Sequence, residues 1–249
     1  MHSDAHIHLY DLFNATGELP VPLPGSTVVA SSHAEREFEW QESFATAWRG
    51  QILLSFGIHP QEPSLARLPF LERLVSEQRI VAIGECGFDL FDGKFRAMLD
   101  DQLRAWDAEL SIARDAGLPL VVHCRKALDR VFADAKRLKE ASAVVFHGWP
   151  GSAREARSLV DRGINAYFSC GKGLLRGDRS LRETAATMDL GRILTETDAP
   201  WMTLKGESVS TPADIRAVTA ELASIRGIGR EETEVAVYGN FMAVFGARS

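Results

Sequence analysis

Cysteine is scarce: three among 249 residues, Cys86, Cys124 and Cys170. A sparse, odd set excludes the dense disulfide frameworks of small secreted domains. No stretch reaches the roughly 20 apolar residues needed to span a bilayer, and Met1-His2-Ser3-Asp4 lacks a basic segment followed by an apolar run. A reducing, cytoplasmic setting is expected, with no membrane and no obligate protein partner. A basic excess is missing as well: 28 Lys and Arg stand against 34 Asp and Glu, a formal net charge of −6. That balance excludes a broad positive field of the kind a passive nucleic-acid binder carries, so any anionic ligand needs a local cation. What is present is ordinary globular usage, 45% hydrophobic and 25% charged, without a composition break that would mark a linker. One domain over residues 1–249 is expected.

Short apolar or β-branched runs alternate with longer segments of helical spacing. Strands are expected at Ser3–His8, Thr27–Ser32, Gln51–Phe56, Ile80–Glu85, Pro119–Cys124, Ala143–Gly148, Ile164–Ser169 and Arg192–Thr197. Helices are expected at Ala34–Arg49, Ser64–Gln78, Phe95–Ala116, Lys126–Glu140, Ser152–Asp161, Ser180–Met188, Pro212–Ile225 and Glu231–Phe245. Runs such as Leu118-Pro119-Leu120-Val121-Val122 and Ala143-Val144-Val145-Phe146 read as strands buried on both faces. Eight units of about 31 residues match an α/β fold of the (β/α)8 TIM-barrel type. The competing open doubly wound sheet normally carries a Gly-rich phosphate loop after its first strand, and none follows Ser3–His8.

Six chemistry-bearing residues fall at or just beyond the carboxyl ends of five expected strands: His6, His8, Glu85, His123, His147 and Asp198. Barrel active sites are built at that end. The spacing His6-Ile7-His8 is the strand period, so both imidazoles project to one side. Glu85 ends an apolar run, where a carboxylate is costly unless paired, protonated or bound to a cation. His123 and His147 complete two further apolar runs in the same way, and closure of strand eight on strand one brings Asp198 beside His6 and His8. Imidazoles and carboxylates suit Zn, Mn, Fe or Ni, and a carboxylate-rich set also accepts Mg. Six ligands exceed what one catalytic Zn takes. Two divalent metal ions are therefore expected: one on His6, His8 and Asp198, the other on His123 and His147, with Glu85 as the bridge. Such a pair serves hydrolysis.

These residues sit in motifs that resemble the TatD family of metal-dependent deoxyribonucleases, within the amidohydrolase-like barrels. The motifs are Asp4-Ala5-His6-Ile7-His8-Leu9, Gly57-Ile58-His59-Pro60, Gly84-Glu85-Cys86-Gly87-Phe88-Asp89, Pro119-Leu120-Val121-Val122-His123-Cys124-Arg125, Phe146-His147-Gly148, Glu196-Thr197-Asp198-Ala199-Pro200 and Gly239-Asn240-Phe241. Gln102, Trp106 and Leu110 resemble the family's helix before strand five. The resemblance runs nearly end to end. It implies a divalent centre (Mg, Mn or Zn) on the same six residues and DNA as substrate, single-stranded or frayed. Phosphodiester hydrolysis by a cation-activated water follows, with Asp198 and Glu85 as the catalytic carboxylates. The loops after His147 and Asp198 depart from the family pattern, and loops at a barrel mouth select substrate. The alternative is hydrolysis of a small-molecule ester, amide or phosphotriester on the same barrel.

Around these residues, Arg125 is expected to fork onto a phosphate or to pair with a neighbouring carboxylate, and His59 to contact substrate or support a ligand. Asp4 is expected to support a ligand, Glu196 to orient a ligand or take part in substrate binding, and Asp89 to support a ligand or to cap a loop. Gly171-Lys172-Gly173 is a candidate phosphate loop. Trp149 and Trp201, both in loops just after ligands, are candidates to stack on a base or simply to pack. Cys86 and Cys124 should point into the helix layer by strand parity.

Overall fold

The computed structural model describes residues 1–48 and 50–246. The expected helix end at Arg49 and the last three residues of the 1–249 span lie outside them. Eight strands form one parallel sheet in sequential order: β1 (His2–Ile7), β2 (Ser26–Ser32), β3 (Ile52–Phe56), β4 (Ala82–Asp89), β5 (Leu120–Arg125), β6 (Val144–Phe146), β7 (Ala166–Cys170) and β8 (Ile193–Thr195). Between and after them run α1 (Leu9–Thr16), α2 (Glu35–Ala45), α3 (Leu68–Ser76), α4 (Gly93–Arg96), α5 (Leu99–Ala116), α6 (Leu128–Ala133), α7 (Ala135–Leu138), α8 (Ala153–Asp161), α9 (Arg179–Thr187), α10 (Ile215–Arg226) and α11 (Arg230–Phe245). This is the expected single-domain TIM barrel. Among the described residues, no helix is long and apolar enough to cross a membrane.

Strand side chains alternate between two apolar clusters. Val28, Ala30, Leu54, Phe56, Val122 and Phe146 pack with helix residues such as Phe38, Leu71 and Trp106. Val29, Val121, Val145 and Leu194 form the other cluster and fill the space inside the sheet, as the layers of a barrel require. His123 and His147 share the parity of Val121 and Val145, so they continue that inner face toward the mouth. Cys86 and Cys124 lie in the helix-side cluster as parity predicts, and Cys170 joins them, closed off from the mouth.

The seam between β1 and β8 is made by individual bonds. Asp4 accepts from the Thr197 hydroxyl at 2.6 Å and from its N–H at 3.0 Å. The Thr195 hydroxyl donates to the Ser3 carbonyl, and the Asp198 N–H donates to the His6 carbonyl. The seam thereby positions three of the six expected ligands.

Two local differences from expectation matter for the site. Helix α1 was not anticipated; it starts one residue after His8, lacks a side-chain cap, and ends after eight residues at Gly17 in the left-handed region. Strand β4 does not end at Glu85 but runs on to Asp89, with a register shift against β5 between Ile83 and Cys86. Such an irregularity re-aims side chains. Starting from Ala82 on the inner face, plain alternation would send Glu85 outward; the shift turns it in and leaves Cys86 on the helix side. Glycine permits this. Gly84 has φ +142, and a Cβ there would stand 2.4 Å from the Val121 carbonyl oxygen; one at Gly87, φ +118, would stand 2.4 Å from that of His123.

Candidate metal centre

Five of the six expected ligands, His8, Glu85, His123, His147 and Asp198, line a cavity of about 880 Å³ at the carboxyl ends of the strands, and His6 lies fully buried beneath them. Glu85 is the centre. Its Oε2 lies 3.2 Å from His6 Nε2 and 3.4 Å from His8 Nε2. Its Oε1 lies 2.5 Å from His123 Nδ1 and 2.7 Å from His147 Nε2. Asp198 Oδ1 closes the first side, 3.7 Å from His6 Nε2 and 3.6 Å from His8 Nε2. Asp198 holds φ +50, a strained value for a non-glycine residue and one that gathers at functional sites.

The donor set fits a cation. His6 Nε2 and His8 Nε2 face each other at 3.0 Å, and His123 Nδ1 and His147 Nε2 at 3.2 Å. Ligands about 2.0–2.2 Å from one ion, at tetrahedral to octahedral angles, stand about 2.8–3.6 Å apart, and both imidazole pairs fall within that range. Three sets have ligand atoms mutually within 4.8 Å: His6, Glu85 and His147; His6, His8 and Asp198; His59, Glu85 and His123.

Behind the imidazoles stand carboxylates. His123 Nε2 meets Asp89 at 3.2 Å, His8 Nδ1 lies 3.8 Å from Asp11, and His147 Nδ1 lies 3.8 Å from Glu196. The hydrogen bond to Asp89 keeps the His123 proton on Nε2 and turns its Nδ1 lone pair toward a cation. Asp89 is itself held in place: Gln61 Nε2 and the Phe91 N–H donate to its carboxylate, while Gln102 brackets its backbone N–H and carbonyl. Burial alone would raise the Asp89 carboxyl, but the bonds from His123, Gln61 and Phe91 outweigh it and bring it to about 2. Both expected roles of Asp89, support and loop cap, are thus occupied at once.

His59 is wired the other way. Its Nδ1 accepts the Gln61 N–H at 3.2 Å, so its proton sits on Nε2, which faces Glu85 Oε1 at 3.3 Å. Burial lowers its pKa to about 4, leaving it neutral. The arrangement makes His59 an N–H donor, whereas a cation needs a lone pair at that atom. Burial also raises Asp198 to about 6, the attraction of His147 and His8 opposing it.

Several neighbours are sorted by the structure. Arg125 is 45% exposed, lies 3.7 Å from Asp89, and rests over the Phe91 ring at 4.2 Å, so pairing and cavity lining coexist. The Lys172 side chain is turned away from the mouth, 1% exposed and bound to Glu207 at 2.6 Å and Asp214 at 2.8 Å, while Gly173 of the same loop lines the cavity. Sequence reasoning missed Asp11, because α1 was missed, and it missed Gln61, His33 and Glu109. His33 follows β2 directly, lines the cavity and lies 5.4 Å from the His59 ring; the strand-end rule that singled out the other histidines applies to it equally. Glu109, on α5, accepts the Ile58 N–H at 2.6 Å from full burial, and nothing in its helical spacing announces that.

Comparison with known proteins identifies the family. A family model described as TatD related DNase matches residues 3–246. The chain is 30% identical over 244 residues to the 3'-5' ssDNA/RNA exonuclease TatD of Klebsiella pneumoniae, covering 93% of this chain and 88% of that protein. It is 32% identical over 217 residues to an uncharacterized metal-dependent hydrolase TatD of Mycobacterium tuberculosis, covering 81% and 80%. Among solved structures, a TatD homolog from Escherichia coli K12 superposes with a TM-score of 0.83 at 23% identity, over 99% of this chain and 98% of that one; that likeness carries the fold.

Proposed function

This chain belongs to the TatD related DNase family, and from that premise we propose that its barrel mouth holds two divalent cations, Mg, Mn or Zn, and hydrolyses phosphodiester bonds in single-stranded or frayed DNA. The observation that carries the reading is Glu85, one carboxylate oxygen turned to each group of imidazoles. His6, His8 and Asp198 would hold one cation and His123 and His147 the other, with the Glu85 carboxylate standing between the two groups. Bound there, divalent cations acidify water and neutralise phosphate charge.

The chain's own residues do the rest. Asp198, with 14% of its side chain exposed, accepts the proton of the attacking water. Glu85 holds the two halves of the site in register. His59 offers its Nε2–H, and Arg125 its guanidinium, to phosphate oxygens. The acidic net charge is compatible with this, since the cations invert the local field, and it implies binding that weakens with salt. On this reading residues 1–249 form one barrel unit acting in the cytoplasm, where its three free, buried cysteines stay reduced.

The test is direct. Purified protein supplied with Mg, Mn or Zn should degrade a labelled single strand, and a chelator should stop it. Turnover confined to carboxylic esters, lactones or phosphotriesters would replace the nuclease by the small-molecule hydrolase.

A further inference from the structure

Two tryptophans follow ligands, and the fold treats them oppositely. Trp149 is 3% exposed and packs edge-on against Phe146 and Phe168, with centroids 5.5 and 4.7 Å away. Both residues line the cavity, and it is the exposure that separates them: Trp201 is 63% exposed. Its position is nonetheless rigidly set. The Trp201 N–H donates to the Asp198 carbonyl at 2.7 Å, and the Trp201 carbonyl accepts from Thr203 at 3.0 Å.

The loop that follows is braced from below. Buried Lys172 holds Glu207, whose carboxylate also accepts the Leu204 N–H at 2.7 Å. Ser210 donates its N–H to the Pro200 carbonyl and its hydroxyl to that of Met202. Arg176 Nη1 reaches the Thr203 carbonyl at 3.3 Å. An exposed indole on a loop pinned this firmly is presented to the cavity, because a ring serving the core would have been packed like Trp149.

The wall around it has the charge a nucleic-acid strand needs. Lys94, Arg125 and Arg176 line the same cavity. The acids beside them are engaged: Asp11 with His8, Glu62 with Arg67, and Asp178 capping Leu181. Cations together with an exposed aromatic face make up the recognition set for single strands, in which stacking on an aromatic ring tolerates any base.

We propose that Trp201 is the stacking platform for the base adjoining the scissile phosphate, held in register with Asp198 by the loop that Lys172 braces. This rests on the nucleic-acid reading of the site. Stacking through the indole face binds the strand and leaves the chemical step untouched.

The experiment compares an oligothymidylate with an abasic oligomer of equal length, its sugars lacking bases, on wild type, Trp201→Ala and Trp201→Phe, each loaded with Mn. Wild type should show a KM for the base-bearing strand about ten-fold or more below that for the abasic one, as one stacked base implies. Trp201→Ala should erase that ratio with kcat on the base-bearing strand unchanged, and Trp201→Phe should keep most of it. An unaltered ratio in Trp201→Ala overturns the platform, as does an equal loss on both strands, which would mark Trp201 as a support for the loop. If wild type cleaves neither strand yet turns over carboxylic esters, the nucleic-acid reading falls and the platform with it; cleavage with an unaltered ratio sinks the platform alone.

Discussion

At the floor of the cavity, His6 is fully buried and Glu85, His123 and His147 nearly so, each held by several polar neighbours. At the rim, Arg125 is 45% exposed beside Asp89 and the Phe91 ring, and Trp201 is 63% exposed. The floor is preorganised by carboxylates such as Asp89 behind His123, so a cation meets lone pairs already aimed. The rim leaves its side chains available to something outside the protein. A floor of this kind is conditional: crowded donors in a dry pocket are costly without a cation, while the rim costs almost nothing whether or not substrate is bound.

Breaking the floor should have the largest effect. His123→Ala or Asp198→Ala is expected to lower kcat by several orders of magnitude and to reduce the metal content of purified protein, read by elemental analysis, with the circular dichroism unchanged. Full activity in both variants would dissolve the distinction between floor and rim. One layer further back, Asp89→Asn keeps shape but loses the charge behind His123. It should weaken cation affinity by about 10–100-fold, measured as the metal concentration giving half-maximal activity; affinity equal to wild type would demote Asp89 to a loop cap.

At the rim, Arg125→Ala should raise KM by about ten-fold while leaving kcat within a factor of two or so, as expected for a partly exposed phosphate contact. A fall in kcat alone would move Arg125 to the floor.

The smallest effect concerns stability. Burial lifts the Glu109 carboxyl well above its ordinary 4.5, so the folded chain retains a proton that the unfolded chain releases. The native state then binds more protons, and stability falls as pH rises above about 4.5 toward the raised value. Glu109→Gln, neutral at every pH and still an acceptor for the Ile58 N–H, should raise Tm by a few degrees at pH 8 and flatten the decline. A lower Tm at that pH would show the carboxylate to be stabilising.

How far the site could be read without coordinates depended on the range of the interaction involved. His6-Ile7-His8 is a local period, and the apolar runs ending at His123 and His147 are local patterns; strand placement follows from them, and strand ends in a barrel meet at one rim. Glu85 was found for a reason that needed amendment, since β4 passes through it to Asp89. The shift that turns it inward depends on Gly84 and Gly87 approaching β5, a contact between segments more than 30 residues apart. Asp11 was missed with the short helix that carries it, and Gln61 and Glu109 because their partners lie 28 and 51 residues away.

By itself, the chain's order of residues determined eight βα units and the donors that close apolar runs, because period and hydrophobic run length act within a few residues. Which nitrogen of each imidazole faces the centre, which tryptophan is buried and which is presented, and the withdrawal of Lys172 from the mouth were decided only by the tertiary structure. Each of those depends on the carboxylate, carbonyl or ring that a distant segment brings alongside.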